Sequence, residues 1–229
     1  MTGNHLDEAS YRAAKILEEA LGLAAEAGTK NLCVMAVTKN QPPDRIEAVR
    51  RAGFTLFGEN RVQEFLLKKE YFDSFGSEVH LIGHLQSNKV NQSVGNFSMI
   101  QSVDSVPIAA RIGRTAEQKG ICQDVLLEVN AGNDPAKYGF LKEQLYDALD
   151  EISGIPGIRV KGLMTIPPIG GYSETAAVFK TMRKLFVDIE CKKIDNVCME
   201  ILSMGMSGDY KSAIREGANL IRLGTILFG

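Results

Sequence analysis

Short apolar runs alternate with longer amphipathic stretches along almost the whole chain. The runs cover residues 31–37 (NLCVMAV), 54–57, 79–82, 98–101, 124–129, 160–165, 200–202 and 220–223. Each is too short for a helix and apolar enough to be covered on both faces, so each predicts a buried strand. The intervening stretches 61–71, 106–119, 142–152, 174–189 and 210–216 carry apolar residues at helical spacing, and residues 6–27 predict an opening helix. Pro43 suits a first helical turn, Ile46, Val49 and Ala52 follow at helical spacing, and Gly53 closes that element.

Strict alternation of strand and helix argues for a parallel sheet, and eight such runs in one chain argue for closure. The fold expected is an α/β single (β/α)8 TIM barrel, one domain over residues 1–229, with an extra N-terminal helix. An open doubly wound sheet is the alternative. It usually carries a glycine-rich phosphate turn after its first strand, whereas the turn here is TKNQPP and neither GxGxxG nor GxxxxGK occurs.

Charge narrows the partners. With 26 Lys and Arg against 28 Asp and Glu, no basic excess is available to neutralise a nucleic acid backbone or hold an anionic membrane. The first residues are acidic and amphipathic, unlike a secretory signal, and no apolar run is long enough to span a bilayer. Cys33, Cys122, Cys191 and Cys198 sit in apolar surroundings without CxxC spacing, which predicts buried, reduced thiols and a cytoplasmic protein. His5, His80 and His84 form no metal-ligand spacing, so no metal is expected.

In such barrels the active face is built by loops leaving the C-terminal ends of the strands. The predicted exits carry Lys39, Glu59-Asn60, His84 with Gln86, Asp104, Asn130, Met164-Thr165, residues 203–207 and residues 222–225. Lys39 follows CVMAV directly and reads either as a solvated strand-end lysine or as a half-buried amine reactive towards carbonyls. The loop Ser203-Met204-Gly205-Met206-Ser207-Gly208-Asp209 leads into a helix that Ser207 could cap, and its free N–H groups would suit an anion provided that Asp209 points outward. Arg222-Leu223-Gly224-Thr225 leaves the last strand where barrels often complete a phosphate site, although Arg222 could equally be a structural ion-pair partner. An aldehyde, a phosphate and a ring nitrogen on one ligand would engage all three features, and pyridoxal 5′-phosphate (PLP) has those groups.

The motifs AVTK (36–39), FGENRVQE (57–64), HLIGHLQSNK (80–89), KYGF (137–140), GLMTI (162–166), LSMGMSGD (202–209) and RLGTILFG (222–229) together resemble the pyridoxal phosphate homeostasis protein family over residues 31–229. That resemblance implies a barrel akin to the N-terminal domain of alanine racemase. It implies Lys39 as the Schiff-base lysine, Ser207, Gly224 and Thr225 around the phosphate, Arg222 facing the pyridine nitrogen, and Asn60 and Met204 nearby. His84, Gln86 and Lys89 match a motif of the family, but nothing in the residues themselves explains their role. An arginine partner leaves the ring a weaker electron sink than an aspartate would, so a bound but poorly activated cofactor is expected. The function implied is buffering PLP or delivering it to apo-enzymes, with no catalytic residue. The alternative is an amino-acid racemase. Racemisation needs an acid/base on each face, the sequence stops just after the eighth strand, and Tyr138 and Tyr172 read better as surface rings than as the second acid. Monomer and homodimer are both compatible with a small, nearly neutral barrel.

Overall fold

The computed structural model describes residues 3–168 and 170–229. Eight parallel strands close in chain order: β1 (Cys33–Val37), β2 (Leu56–Glu59), β3 (Glu78–Leu81), β4 (Met99–Val103), β5 (Gln123–Glu128), β6 (Ile158–Met164), β7 (Val197–Met206) and β8 (Leu220–Leu223). The barrel shuts where β1 pairs with β8, Met35 lying opposite Arg222. Around it run α1 (Gly3–Glu26), α2 (Pro43–Arg51), α3 (Val62–Ser74), α4 (Val90–Ser93), α5 (Val106–Gln118), α6 (Leu145–Ser153), α7 (Tyr172–Lys192), α8 (Tyr210–Arg215) and α9 (Thr225–Phe228). The helix after β8 is only one turn long. The opening helix α1 packs against α2, α8 and α9 and so covers the flank between the last strand and the first. Arg12 of α1 donates to the Leu227 carbonyl at 3.3 Å, and the Tyr210 hydroxyl donates to Glu19 at 3.1 Å.

Side chains alternate across the barrel wall with the two-residue period of a strand. Val34, Ala36, Ile221 and Leu223 face the helices and belong to the large core between sheet and helices. Met35, Val37 and Leu220, with Ile82, form a small apolar cluster of their own, and Met99, Leu126 and Met164 form another. Glycines permit close backbone approach at two places that matter for the mouth. A Cβ on Gly83 would lie 2.2 Å from the Asn60 carbonyl oxygen, and Gly205, with φ of +95°, would meet the Ala213 Cβ at 2.5 Å.

Two expectations are corrected. All four cysteines, Cys33, Cys122, Cys191 and Cys198, are exposed rather than buried. They sit at element ends or on outward positions, where neighbouring apolar residues turn inward and the thiol does not. The strands β2, β4 and β7 run beyond the apolar stretches that announced them, to Glu59, Val103 and Met206.

Candidate functional site

A cavity of about 400 Å³ opens at the C-terminal end of the barrel. Its polar lining is Lys39, Asn60, Ser207, Gly208, Arg222 and Thr225, with Gly224 beside them, and its apolar lining is Val37, Ile82, Ile166 and Met206. Strand parity accounts for much of this. Met35 and Val37 point inward on β1, so the chain leaves the barrel with Lys39 in phase; Leu220 and Arg222 do the same on β8, ahead of Gly224. Lys39 lines the cavity but is exposed, so the fold presents a solvent-accessible amine and not a half-buried one. Met204 faces outward into the core between sheet and helices, and Met206 takes the place at the cavity.

Arg222 is 3% exposed and forms no ion pair with a carboxylate among the described residues. Neutral groups hold it instead. Its Nη1 donates to the Ser203 hydroxyl at 2.7 Å and its Nη2 to the Thr165 carbonyl at 2.8 Å. The chain continues through the barrel: the Ser203 hydroxyl donates to Gln101 Oε1 at 2.7 Å, and the Gln101 amide lies 2.8 Å from His80 Nδ1. Because the Gln101 amide nitrogen can only donate, His80 Nδ1 accepts and its proton sits on Nε2. Burial holds the His80 imidazole down at about 4, so it is neutral near pH 7. Burial likewise brings Arg222 down to about 10, against the opposing pull of Glu128 and Asp209. The guanidinium remains a cation, fixed in direction by groups that do not cancel its charge.

The end of the cavity between β7 and β8 is rich in donors. Among the described residues, the N–H groups of Ser207, Gly208 and Thr225 have no protein acceptor. The Ser207 hydroxyl does not cap α8, which begins at Tyr210; its Oγ accepts from the Gly224 N–H at 3.1 Å and the Ile226 N–H at 3.3 Å, tying the two loops together. The Gly224 N–H is therefore taken, and a Cβ at that glycine would meet only Val37 at 3.5 Å. Asp209 does not point out to solvent. Its carboxylate turns back to accept the Met206 N–H at 2.6 Å, and burial raises its pKa, with Met206, Arg222 and Lys137 pulling the other way. At the exit of β2, Asn60 Oδ1 is buried without a hydrogen-bond partner among the described residues, an arrangement that is costly unless a ligand supplies a donor.

Other strand exits build the surroundings. Asn130 braces its own loop through bonds of 2.8 and 3.0 Å with Asp134, and Lys137 donates to the carbonyls of Ile166 and Pro167. Glu128, inside the mouth and 7% exposed, is pushed up to about 7 by burial and the nearby Asp104 charge, against Arg222 and Lys137. His84 Nδ1 lies 2.8 Å from Asp104, and its ring stacks on Tyr138 with centroids 3.7 Å apart. His84, Gln86 and Lys89 line a separate cleft of about 360 Å³ that shares Asn60 with the main cavity. Tyr138 and Tyr172 are both largely exposed, and neither lines the main cavity. No group of three or more His, Cys, Asp or Glu suited to a metal occurs among the described residues.

The reading of apolar runs gave no role to the polar pair that continues the chain behind Arg222 and Ser203. His80 and Gln101 are inward-facing polar residues inside strands, and the signal that could have found Gln101 is parity with the inward Met99.

The chemistry available is thus an anion pocket of backbone and hydroxyl donors, a fixed cation, and a primary amine around one cavity. The sequence profile for the alanine racemase N-terminal domain matches residues 6–229. A pyridoxal phosphate homeostasis protein of Aquifex aeolicus is 38% identical over 224 residues, covering 96% of this chain and 97% of its own length. PipY of Synechococcus elongatus, solved with PLP bound, is 35% identical with a TM-score of 0.82, over 92% of this chain and 99% of that one. A protein from Bifidobacterium adolescentis superposes with a TM-score of 0.93 at 31% identity, over 100% of this chain and 97% of that one. The chain belongs to the alanine racemase N-terminal domain family and, within it, to the pyridoxal phosphate homeostasis proteins.

Proposed function

We propose that this chain, as a single barrel domain, binds PLP in the cavity at the β1, β7 and β8 exits and serves to hold and deliver it, without catalytic turnover. The observation that carries this is the convergence of Lys39, the donor-rich loops of Ser207-Gly208 and Gly224-Thr225, and the buried Arg222 on one cavity. The residues fit the cofactor. The unpaired N–H groups of Ser207, Gly208 and Thr225 suit a phosphate, Arg222 suits the ring nitrogen, and Asn60 has an acceptor to offer a hydroxyl. When bound, PLP supplies an aldehyde that condenses with a primary amine and a ring that withdraws electrons. Lys39 is the amine on the cavity wall positioned to hold that aldehyde. Arg222 would hold its positive charge beside the ring nitrogen, where it would disfavour a proton and keep the withdrawal of electrons weak. PipY, a 35% identical relative solved with PLP bound, supports the same ligand here.

The carrier reading is favoured over a racemase by what surrounds the cavity. A racemase needs a second acid/base opposite the lysine, and neither exposed tyrosine of the mouth lines the cavity. The recipients would be apo-enzymes that require PLP, met in the cytoplasm. Incubating the PLP-loaded protein with single-enantiomer amino acids tests this: the enantiomer ratio should stay constant while an added apo-enzyme gains activity. Sustained racemisation that disappears in Lys39→Ala would make the protein an enzyme.

A further inference from the structure

We infer that Glu59, Glu64 and Lys68 form a clamp outside the barrel that holds the turn presenting Lys39, with Glu64 and Lys68 acting as positioning residues. The inference rests on Lys39 being the amine that takes PLP. Lys39 sits at the second position of a four-residue turn closed by the Gln41 N–H donating to the Thr38 carbonyl at 3.1 Å, and Asn40, the third residue, has φ of +58°. The closing bond leaves the Asn40 N–H without a partner inside the turn and the Thr38 carbonyl with a second lone pair, and α3 grips both. Lys68 Nζ donates to the Thr38 carbonyl at 2.8 Å, and Glu64 Oε1 accepts the Asn40 N–H. The remaining donors of the ammonium go to Glu64 at 2.7 Å and to Glu59 at 2.9 Å, so all three are used. Glu59, the last residue of β2 and fully buried, also accepts the Thr38 hydroxyl at 2.7 Å.

The placement is specific to the lysine. Glu59 belongs to the strand beside β1, Glu64 and Lys68 to the helix that follows it, and their bonds reach the residues on either side of Lys39 while leaving its side chain free to line the cavity. Lys68 and Glu64 are four apart on α3, the spacing that puts them on one face. A salt bridge serving only to stabilise the helix would need no bond to Thr38 or Asn40. Charge-assisted bonds of this kind are strong enough to fix a turn of which the central residue is exposed.

Amide hydrogen exchange and PLP capture in Glu64→Ala, Glu64→Gln and Lys68→Met test the clamp. Glutamine keeps an acceptor for the Asn40 N–H, so it should behave like the parent. Glu64→Ala and Lys68→Met should raise exchange at Asn40 about tenfold to a hundredfold, the effect of one bond to a charged group, with β8 amides unchanged. The same two variants should take up PLP on Lys39 at least about tenfold more slowly at an unchanged end-point spectrum. Equal Asn40 exchange in all variants, or equal capture rates in Glu64→Ala and the parent, would overturn the inference. If Asn40 responds as expected but the parent protein places no PLP on Lys39, the clamp stands and the cofactor reading falls.

Discussion

A carboxyl group that is 7% exposed and lacks a bonded cation is an unusual thing to keep inside a barrel mouth, and Glu128 is one. Burial pushes it up to about 7, from an ordinary value of 4.5. The sign follows from linkage. The folded state holds the Glu128 proton more tightly than the unfolded chain does, so this residue costs nothing below about pH 4.5, and its cost grows until the pH passes about 7. Glu128→Gln removes the titration. The stability of the variant relative to the parent, measured by urea unfolding, should increase by up to about 3 kcal/mol between pH 4 and pH 8. A difference that stays flat across that range would show that Glu128 is not buried as a neutral acid. His80 works in the opposite sense. Its imidazole is held at about 4, so its contribution is full at neutral pH and is lost as pH falls from the ordinary histidine value towards 4. The two residues offset one another in the parent, and only the single variant exposes the slope of each.

At the scale of elements, the mouth depends on backbones that approach closely. Gly83, at the exit of β3, leaves no room for a side chain against the Asn60 carbonyl, so Gly83→Ala must move the exit of β2 that carries Asn60 into the cavity. A destabilisation of about 1 to 3 kcal/mol is expected, the usual cost of overpacking, together with weaker PLP retention. Gly22 is the contrasting case: it lies exposed in the interior of α1 with nothing within 4 Å of its Cβ position. Gly22→Ala should stabilise by about 1 kcal/mol with retention unchanged. Melting curves and PLP titrations on both variants check this, and a shared direction of change would contradict it. The elements were largely legible in the sequence because an apolar run that is buried on both faces needs no tertiary context to be read; β8 was read at its observed bounds, 220–223. The ends of β2, β4 and β7 were not, because they include Glu59, Ser102 and Ser203, polar residues whose burial depends on partners distant in sequence. Met204 came from the family resemblance; it lies in the core between sheet and helices, next along β7 to the inward Ser203, and the irregular register beyond Ser203 brings Met206 to the cavity.

For the whole molecule, closure of the barrel is what brings Lys39 and Arg222, 183 residues apart in the chain, to one cavity: β1 and β8 are neighbours only because the sheet shuts. The candidate residues were legible one at a time, from their places after strands, but the interior chain from His80 to Arg222 and the clamp on Lys39 were not, since each depends on contacts among several strand ends. Short α9 and long α1 pack together on the flank of the closing strands. The central claim is that this closed mouth holds PLP on Lys39. The direct measurement is a visible absorbance titration with PLP, followed by borohydride reduction and peptide mass mapping. A yellow band that borohydride abolishes, with the reduced adduct on the peptide containing Lys39 and absent in Lys39→Ala, is the predicted result. No band, or an adduct only on other lysines of the unmodified protein, would contradict it.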